Sequence, residues 1–118
     1  MEDVSSDIGT STVARITIDD YLANNCLAFA RTKVKGLAEG MVDAKYLANF
    51  PHKSPVVGGI VLQRFLQANG TWLYHVSVIL ELRESGIWVI ESNYEKGKIG
   101  NRLIAWGDSS IVLFWDYE

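Results

Sequence analysis

From residue 56 onward the apolar positions come in short runs rich in β-branched and aromatic residues: "VVGGIVLQRFL", "TWLYHVSVILEL", "GIWVIESNY", "RLIAWG" and "SIVLFWDY", separated by Gly, Asn and Ser. Runs of this kind bounded by turn formers predict five strands. Upstream the period changes. Leu27, Phe29, Ala30, Val34 and Leu37 recur at mixed three- and four-residue steps, which predicts a helix from Cys26 to about Lys35 stopped by Gly36. "ITIDDYLAN" predicts a short first helix, with Thr17 and Asp19 as N-cap candidates and an end near Asn24. "MVDAKYLANFPHKSP" predicts a third, capped by Asp43 and closed before Pro51. Helices first and strands later predict an α+β chain rather than an alternating α/β one.

Residues 1–15, rich in Ser, Thr, Asp and Gly, read as a flexible arm, leaving 16–118 as a single domain. The chain has 118 residues, 48% of them hydrophobic, and no run approaches the roughly 18 apolar residues of a membrane span. A net charge of -3 argues against nucleic acid as a partner, because phosphate contacts call for a clustered basic face. The first residues are acidic and polar where a signal peptide is basic and then apolar. The expectation is synthesis in the cytoplasm, with any release or export by another route. One cysteine and two histidines make neither a disulfide nor the usual zinc cage, so no metal and no cofactor is expected.

Chemistry concentrates on the lone thiol. A cysteine nucleophile needs a lowered pKa, a base, a group that orients the base, and donors for an oxyanion. Cys26 stands at a predicted helix start, after two asparagines that can cap the helix or donate an amide N–H. His75 lies inside a predicted strand, on one face with Ser77, Ile79 and Glu81. The next strand ends "VIESNYE", with Glu91 and Asn93 on one face. A three-residue loop "ESG", with Gly86 left-handed, pairs Arg83 with Ile87 and Ser77 with Asn93. His75, Ser77, Glu91 and Asn93 then share a face, whereas a two-residue turn shifts the register by one and separates them. With the right parity, Glu91 or Asn93 accepts the second imidazole N–H and fixes the tautomer.

"NNCLAFAR", "SPVVGGIVL", "YHVSVILE" and "IESNYEKG", in that order, resemble the CHAP domains, the cysteine, histidine-dependent amidohydrolases and peptidases that cut peptidoglycan. The resemblance covers roughly residues 20 to 115 and implies a papain-like α+β fold, with N-terminal helices packed on a mainly antiparallel sheet. It makes Cys26 the nucleophile, His75 the base and Glu91 its orienter, assisted by Asn93, and suggests Asn25 for the oxyanion hole. The implied activity is that of a peptidoglycan hydrolase, an amidase or an endopeptidase, of phage or bacterial origin, serving lysis or acting as an antibacterial effector. Gly59 departs from the family pattern, which usually has Asp there. Calcium sites in some members use acids near the cysteine; here the neighbouring Asp19 and Asp20 read as helix-capping residues. Two rival readings stay open: a cysteine peptidase or amidase with a peptide or amide substrate outside the wall, and a catalytically silent binding or assembly module.

Overall fold

The computed structural model describes residues 25–34, 36–37 and 44–117. They form one α-helix, α1 (Cys26–Arg31), a 3₁₀ helix (Ala44–Asn49) and five strands, β1 (Ile60–Leu66), β2 (Trp72–Arg83), β3 (Gly86–Ser92), β4 (Ile99–Ala105) and β5 (Ile111–Trp115). The expected arm over 1–15, the first predicted helix and residues 41–43 of the third lie outside the described residues.

The papain-like α+β expectation is overturned: the described residues make a small β-rich domain, a five-stranded antiparallel sheet with one six-residue helix and a single 3₁₀ turn. The helical periodicity of residues 27–37 reports burial and not continuous helix. Leu27, Ala30, Val34 and Leu37 all enter one core, but α1 stops at Arg31. There the Thr32 hydroxyl and backbone N–H both donate to Phe29 O, tightening the last turn, and Gly36 follows with a positive φ of 86°. The segment before Pro51 likewise closes as a 3₁₀ helix, with Phe50 N–H donating to Leu47 O. Segments this short take their conformation from what they pack against, because isolated short helices are marginal.

The strand order is β4-β3-β2-β1-β5, with every neighbouring pair antiparallel. β4 and β5 are opposite edges, yet only residues 106–110 join them, folded so that Asp108 N–H meets Ala105 O and Ile111 N–H meets Asp108 O. The edges of a flat five-stranded sheet lie roughly 19 Å apart. So tightly turned a connection cannot bridge that gap, and the sheet curls into an open barrel. Val61, Ile79, Ile87, Val89 and Ile104 fill the inside of the curl, with Ile111 and Phe114 against them. α1 and the 3₁₀ helix cover the other face, where Leu27, Ala30 and Leu47 pack on Ile60, Leu62, Val76, Val78 and Leu113.

The β2–β3 hairpin differs from the expected three-residue loop. Arg83 pairs with Gly86, so the turn is Glu84–Ser85, and Leu82↔Ile87 and Glu81↔Trp88 follow in step. Taken alone, that register puts His75 and Glu91 on opposite faces. A bulge between Ile79 and Glu81 corrects it: Leu80 is the extra residue, and the ladder resumes at Ile79↔Val89 and Val78↔Ile90. Ser77 thus stands level with Glu91, and His75, Ser77 and Glu91 recover a common face. Gly86 is a strand residue, not a left-handed one; a Cβ there would run into the Ile104 carbonyl of β4.

Candidate active site

Pairing between β2 and β3 ends at Val78↔Ile90, although β2 begins at Trp72 and β3 runs to Ser92. α1 packs against both strands, which brings its first residue, Cys26, to His75 and Val76. Asn25 fixes the helix start: its backbone is extended and its Oδ1 accepts from Ala28 N–H at 2.9 Å. The Asn25 side-chain oxygen is therefore engaged in capping, and the amide nitrogen is the group it can turn toward a substrate. Gly59, the departure from the family's Asp, sits where a Cβ would lie 2.8 Å from Trp115 O, so this backbone has no room for a side chain.

His75 is buried, 5% exposed, and its Nε2–H donates to Glu91 Oε1 at 2.9 Å. That leaves Nδ1 for Cys26, the arrangement an imidazole needs to exchange a proton with a thiol while a carboxylate holds its other nitrogen. Glu91 is 3% exposed and accepts further bonds from Ser77 Oγ at 2.7 Å and from Arg102, whose Nε reaches Oε2 at 2.7 Å and Nη2 reaches Oε1 at 2.8 Å. When the proton passes from Cys26 to His75, thiolate, imidazolium, carboxylate and guanidinium alternate in sign, so each ionised group of that state has an opposite neighbour.

The electrostatics follow from these neighbours. Burial pushes the Cys26 thiol up, but the imidazole beside it and the backbone N–H groups of Val76 and Leu27 outweigh burial and leave it below the ordinary thiol range. Burial alone lowers His75; interaction with Cys26 and Glu91 overcomes this and raises it. α1 is too short for its dipole to carry the effect expected of a long helix, and His75 is the stronger cause. Burial likewise opposes ionisation of Glu91, yet Arg102, His75 and Ser77 bring it down to about 2.

The depressed Glu91 value makes a prediction about stability. Ionised Glu91 stabilises the fold at pH above the ordinary carboxyl range, and that contribution, about 3 kcal/mol, is lost as pH falls from about 4.5 toward 2. Urea unfolding of the wild type and Glu91→Gln across this interval is expected to show a steep loss for the former and a flatter profile for the latter. Parallel profiles would refute the assignment of that carboxylate.

Cys26 and His75 open on a cleft of about 360 Å³, walled by Phe65, Leu73, Tyr74 and Tyr94, with Asn25 and Asn93 also on its lining. Tyr94 lies 5.6 Å from the His75 ring and has the Arg102 guanidinium 3.6 Å from its own centroid. Asn93 lines the cleft but serves the turn after β3: its φ is 66°, its N–H donates to Lys98 O and its Oδ1 accepts from Gly97 N–H. Glu91, and not Asn93, accepts the imidazole Nε2–H. His52 is exposed in the stretch before β1 and stands 5.8 Å from Phe114.

Sequence reasoning missed Arg102 and Gln63. Each had a signal: Arg102 shares strand parity with buried Ile104, and Gln63 with buried Val61, so both put a polar group on a core-facing position. Among the described residues no cluster of His, Cys, Asp and Glu is arranged to hold a metal, and no helix is long and apolar enough to cross a membrane. Comparison with protein-family models, curated proteins and solved structures finds no match to this chain.

Proposed function

We propose that the chain is a cysteine-dependent amidohydrolase acting on peptidoglycan, with Cys26 as nucleophile, His75 as base and acid, and Glu91 as the group that orients His75. The observation that carries this reading is the imidazole held by Glu91 through Nε2 with its other nitrogen turned to a thiol of lowered pKa. The order of the motifs around Cys26, His75 and "ESNY", which resembles that of CHAP domains, supports the wall as substrate.

In the proposed reaction the Cys26 thiolate attacks the amide carbonyl carbon, and the carbonyl oxygen takes the negative charge. The Asn25 amide N–H and the backbone N–H of Cys26, which has no intrahelical acceptor, are the donors suited to that oxygen. Collapse breaks the C–N bond, and the imidazolium Nδ1–H protonates the departing amine, leaving a thioester. Water, deprotonated by neutral His75, then attacks the thioester; the acid leaves, and the thiolate and imidazolium are restored. The bond is either the amide joining stem peptide to sugar or one within the peptide.

A second reading, a cysteine peptidase or amidase with a non-wall substrate, draws support from the cleft itself. Its described lining is aromatic, aliphatic and amide apart from the Cys26–His75 pair, with no cation to meet the carboxylates of a wall peptide. Incubation of purified peptidoglycan with the wild type and Cys26→Ala, followed by mass analysis of released fragments, tests the first reading. New termini from the wild type alone are expected, and they identify the bond. Identical fragment profiles would overturn wall hydrolysis. Failure of a thiol-reactive probe to label Cys26 as an activated thiol would in addition favour a silent module.

A further inference from the structure

We infer that Arg102, itself held by Gln63, is a positioning residue: it locks the plane of the Glu91 carboxylate so that Oε1 faces His75, and keeps that carboxylate an acceptor throughout the range in which Cys26 and His75 exchange a proton. The inference rests on the proposed role of the Cys26–His75 pair and adds to it a residue from a third strand.

The geometry is specific. Arg102 engages both oxygens of Glu91, Nε to Oε2 at 2.7 Å and Nη2 to Oε1 at 2.8 Å, and such a fork fixes a carboxylate in orientation as well as in charge. The same Nη2 also donates to Gln63 Oε1 at 2.7 Å. Gln63 is fully buried and lies directly across from His75 on β1, and its Nε2 donates to Ser110 Oγ at 2.7 Å. Ser110 Oγ donates in turn to Asp108 Oδ1 at 2.6 Å. The guanidinium is thus aimed by a chain of hydrogen bonds beginning in the β4–β5 connection. In a flat sheet β4 and β1, with two strands between them, stand roughly 14 Å apart; the curl of the sheet makes the Arg102–Gln63 contact feasible.

The chemical consequence concerns a proton. A carboxyl as buried as Glu91 favours its neutral form unless a cation compensates it. Once protonated it places an O–H among the N–H and O–H donors of His75, Ser77 and Arg102, and its capacity to hold Nε2–H falls. Arg102 prevents this and also offsets the charge of Glu91, so that the imidazolium can still surrender its Nδ1 proton to a leaving amine. The charged and titratable groups around Glu91 are His75 from β2, Arg102 from β4, Cys26 from α1, and Tyr94, Glu95 and Lys98 from the turn after β3; Asp108 acts on Arg102 from the β4–β5 connection. Glu95 and Lys98 are exposed, so among the described residues Arg102 is the permanently charged cation bonded to the carboxylate, beside the imidazole of His75.

The test uses two readouts on the whole chain: the pH dependence of Cys26 alkylation by iodoacetamide, and the His75 ring signals by NMR. In Arg102→Met the acid limb of alkylation is expected to steepen from one proton toward two and to move up by about one pH unit, which lowers the rate at pH 5 about tenfold. The hydrogen-bonded Nε2–H signal is expected to exchange faster. Arg102→Lys, which restores charge without the fork, is expected to fall between, and Gln63→Met to shift the profile in the same direction by less. A folded Arg102→Met with wild-type profile and ring signals would overturn the inference. If that variant fails to fold, an unchanged Gln63→Met overturns it. A wild-type Cys26 reacting only as an ordinary thiol would end the hydrolase reading, while the ring signals would still decide the role of Arg102.

Discussion

Replacing His75 by alanine is expected to slow alkylation of Cys26 at pH 6 by about 10²-fold and turnover by about 10³-fold or more. Without the imidazole, burial is the largest influence left on the thiol, and it acts upward. Only a small fraction of an ordinary thiol is thiolate at that pH. The sign in the wild type follows from the two opposed shifts. The thiol is lowered, so the thiolate forms below the ordinary thiol range; the imidazole is raised, so the proton for the leaving amine survives above the ordinary histidine range. Both shifts favour the coexistence of thiolate and imidazolium and so widen the pH range of turnover on its acid and its basic side, and His75→Ala removes that widening. Glu91 keeps Arg102 and Ser77 as partners in that variant, so the cost in stability is that of one charged hydrogen bond, about 1.5–3 kcal/mol. An alkylation rate within a factor of two of wild type would defeat the pairing of Cys26 with His75. If His75→Ala instead unfolds the chain, the histidine is structural, and Glu91→Gln then reports the orienting bond separately.

Deletion of Val78, a buried and paired residue of β2, is expected to abolish thiol activation and to cost at least about 4 kcal/mol of stability. The two-residue turn sets one register from Arg83↔Gly86 to Glu81↔Trp88, and the bulge at Leu80 changes it before Ile79↔Val89. With Val78 gone, Ser77 follows Ile79 and falls opposite Ile90, so every β2 side chain before Ile79 exchanges faces relative to β3, whereas loss of the unpaired Leu80 would let Ile79 follow Glu81 directly and leave Ile79↔Val89 and the pairs beyond it in place. In the Val78 deletion Ser77 and His75 leave the face that carries Glu91. The companion variant Leu80→Ala keeps the residue count, and Leu80 is 39% exposed, so it is expected to alkylate at nearly the wild-type rate. Melting curves and alkylation at pH 6 measured on both variants make the comparison. Equal thiol reactivity in the Val78 deletion would show that the phase of β2 does not place His75 beside Glu91.

The strand positions were legible because β-branched and aromatic runs between turn formers describe half-buried strands directly. The helices were less so: Val34 and Leu37 continue the periodicity of Leu27 and Ala30 but reach the same core from turns, and periodicity alone does not distinguish the two routes. The common face of His75, Ser77 and Glu91 was anticipated from a loop length that does not occur. Two departures cancel in parity: a shorter turn and an extra residue at Leu80. Their spacing in sequence is blind to that compensation. Asn93 was read by proximity to Glu91, whereas its left-handed backbone commits it to a turn. Arg102 reaches Glu91 diagonally across the β3–β4 ladder, a contact that depends on a register not visible in the sequence, and only the curl of the sheet brings Gln63, from β1, to Arg102.

The bulge also divides the hairpin into two parts with separate tolerances. Below Leu80 the pairing carries the phase of the reactive groups; above it lie Glu81–Arg83, the exposed Glu84–Ser85 turn and the start of β3. A peptide tag or a fluorescent reporter spliced between Glu84 and Ser85 would be insulated from the reactive face by a register boundary already built into the strand.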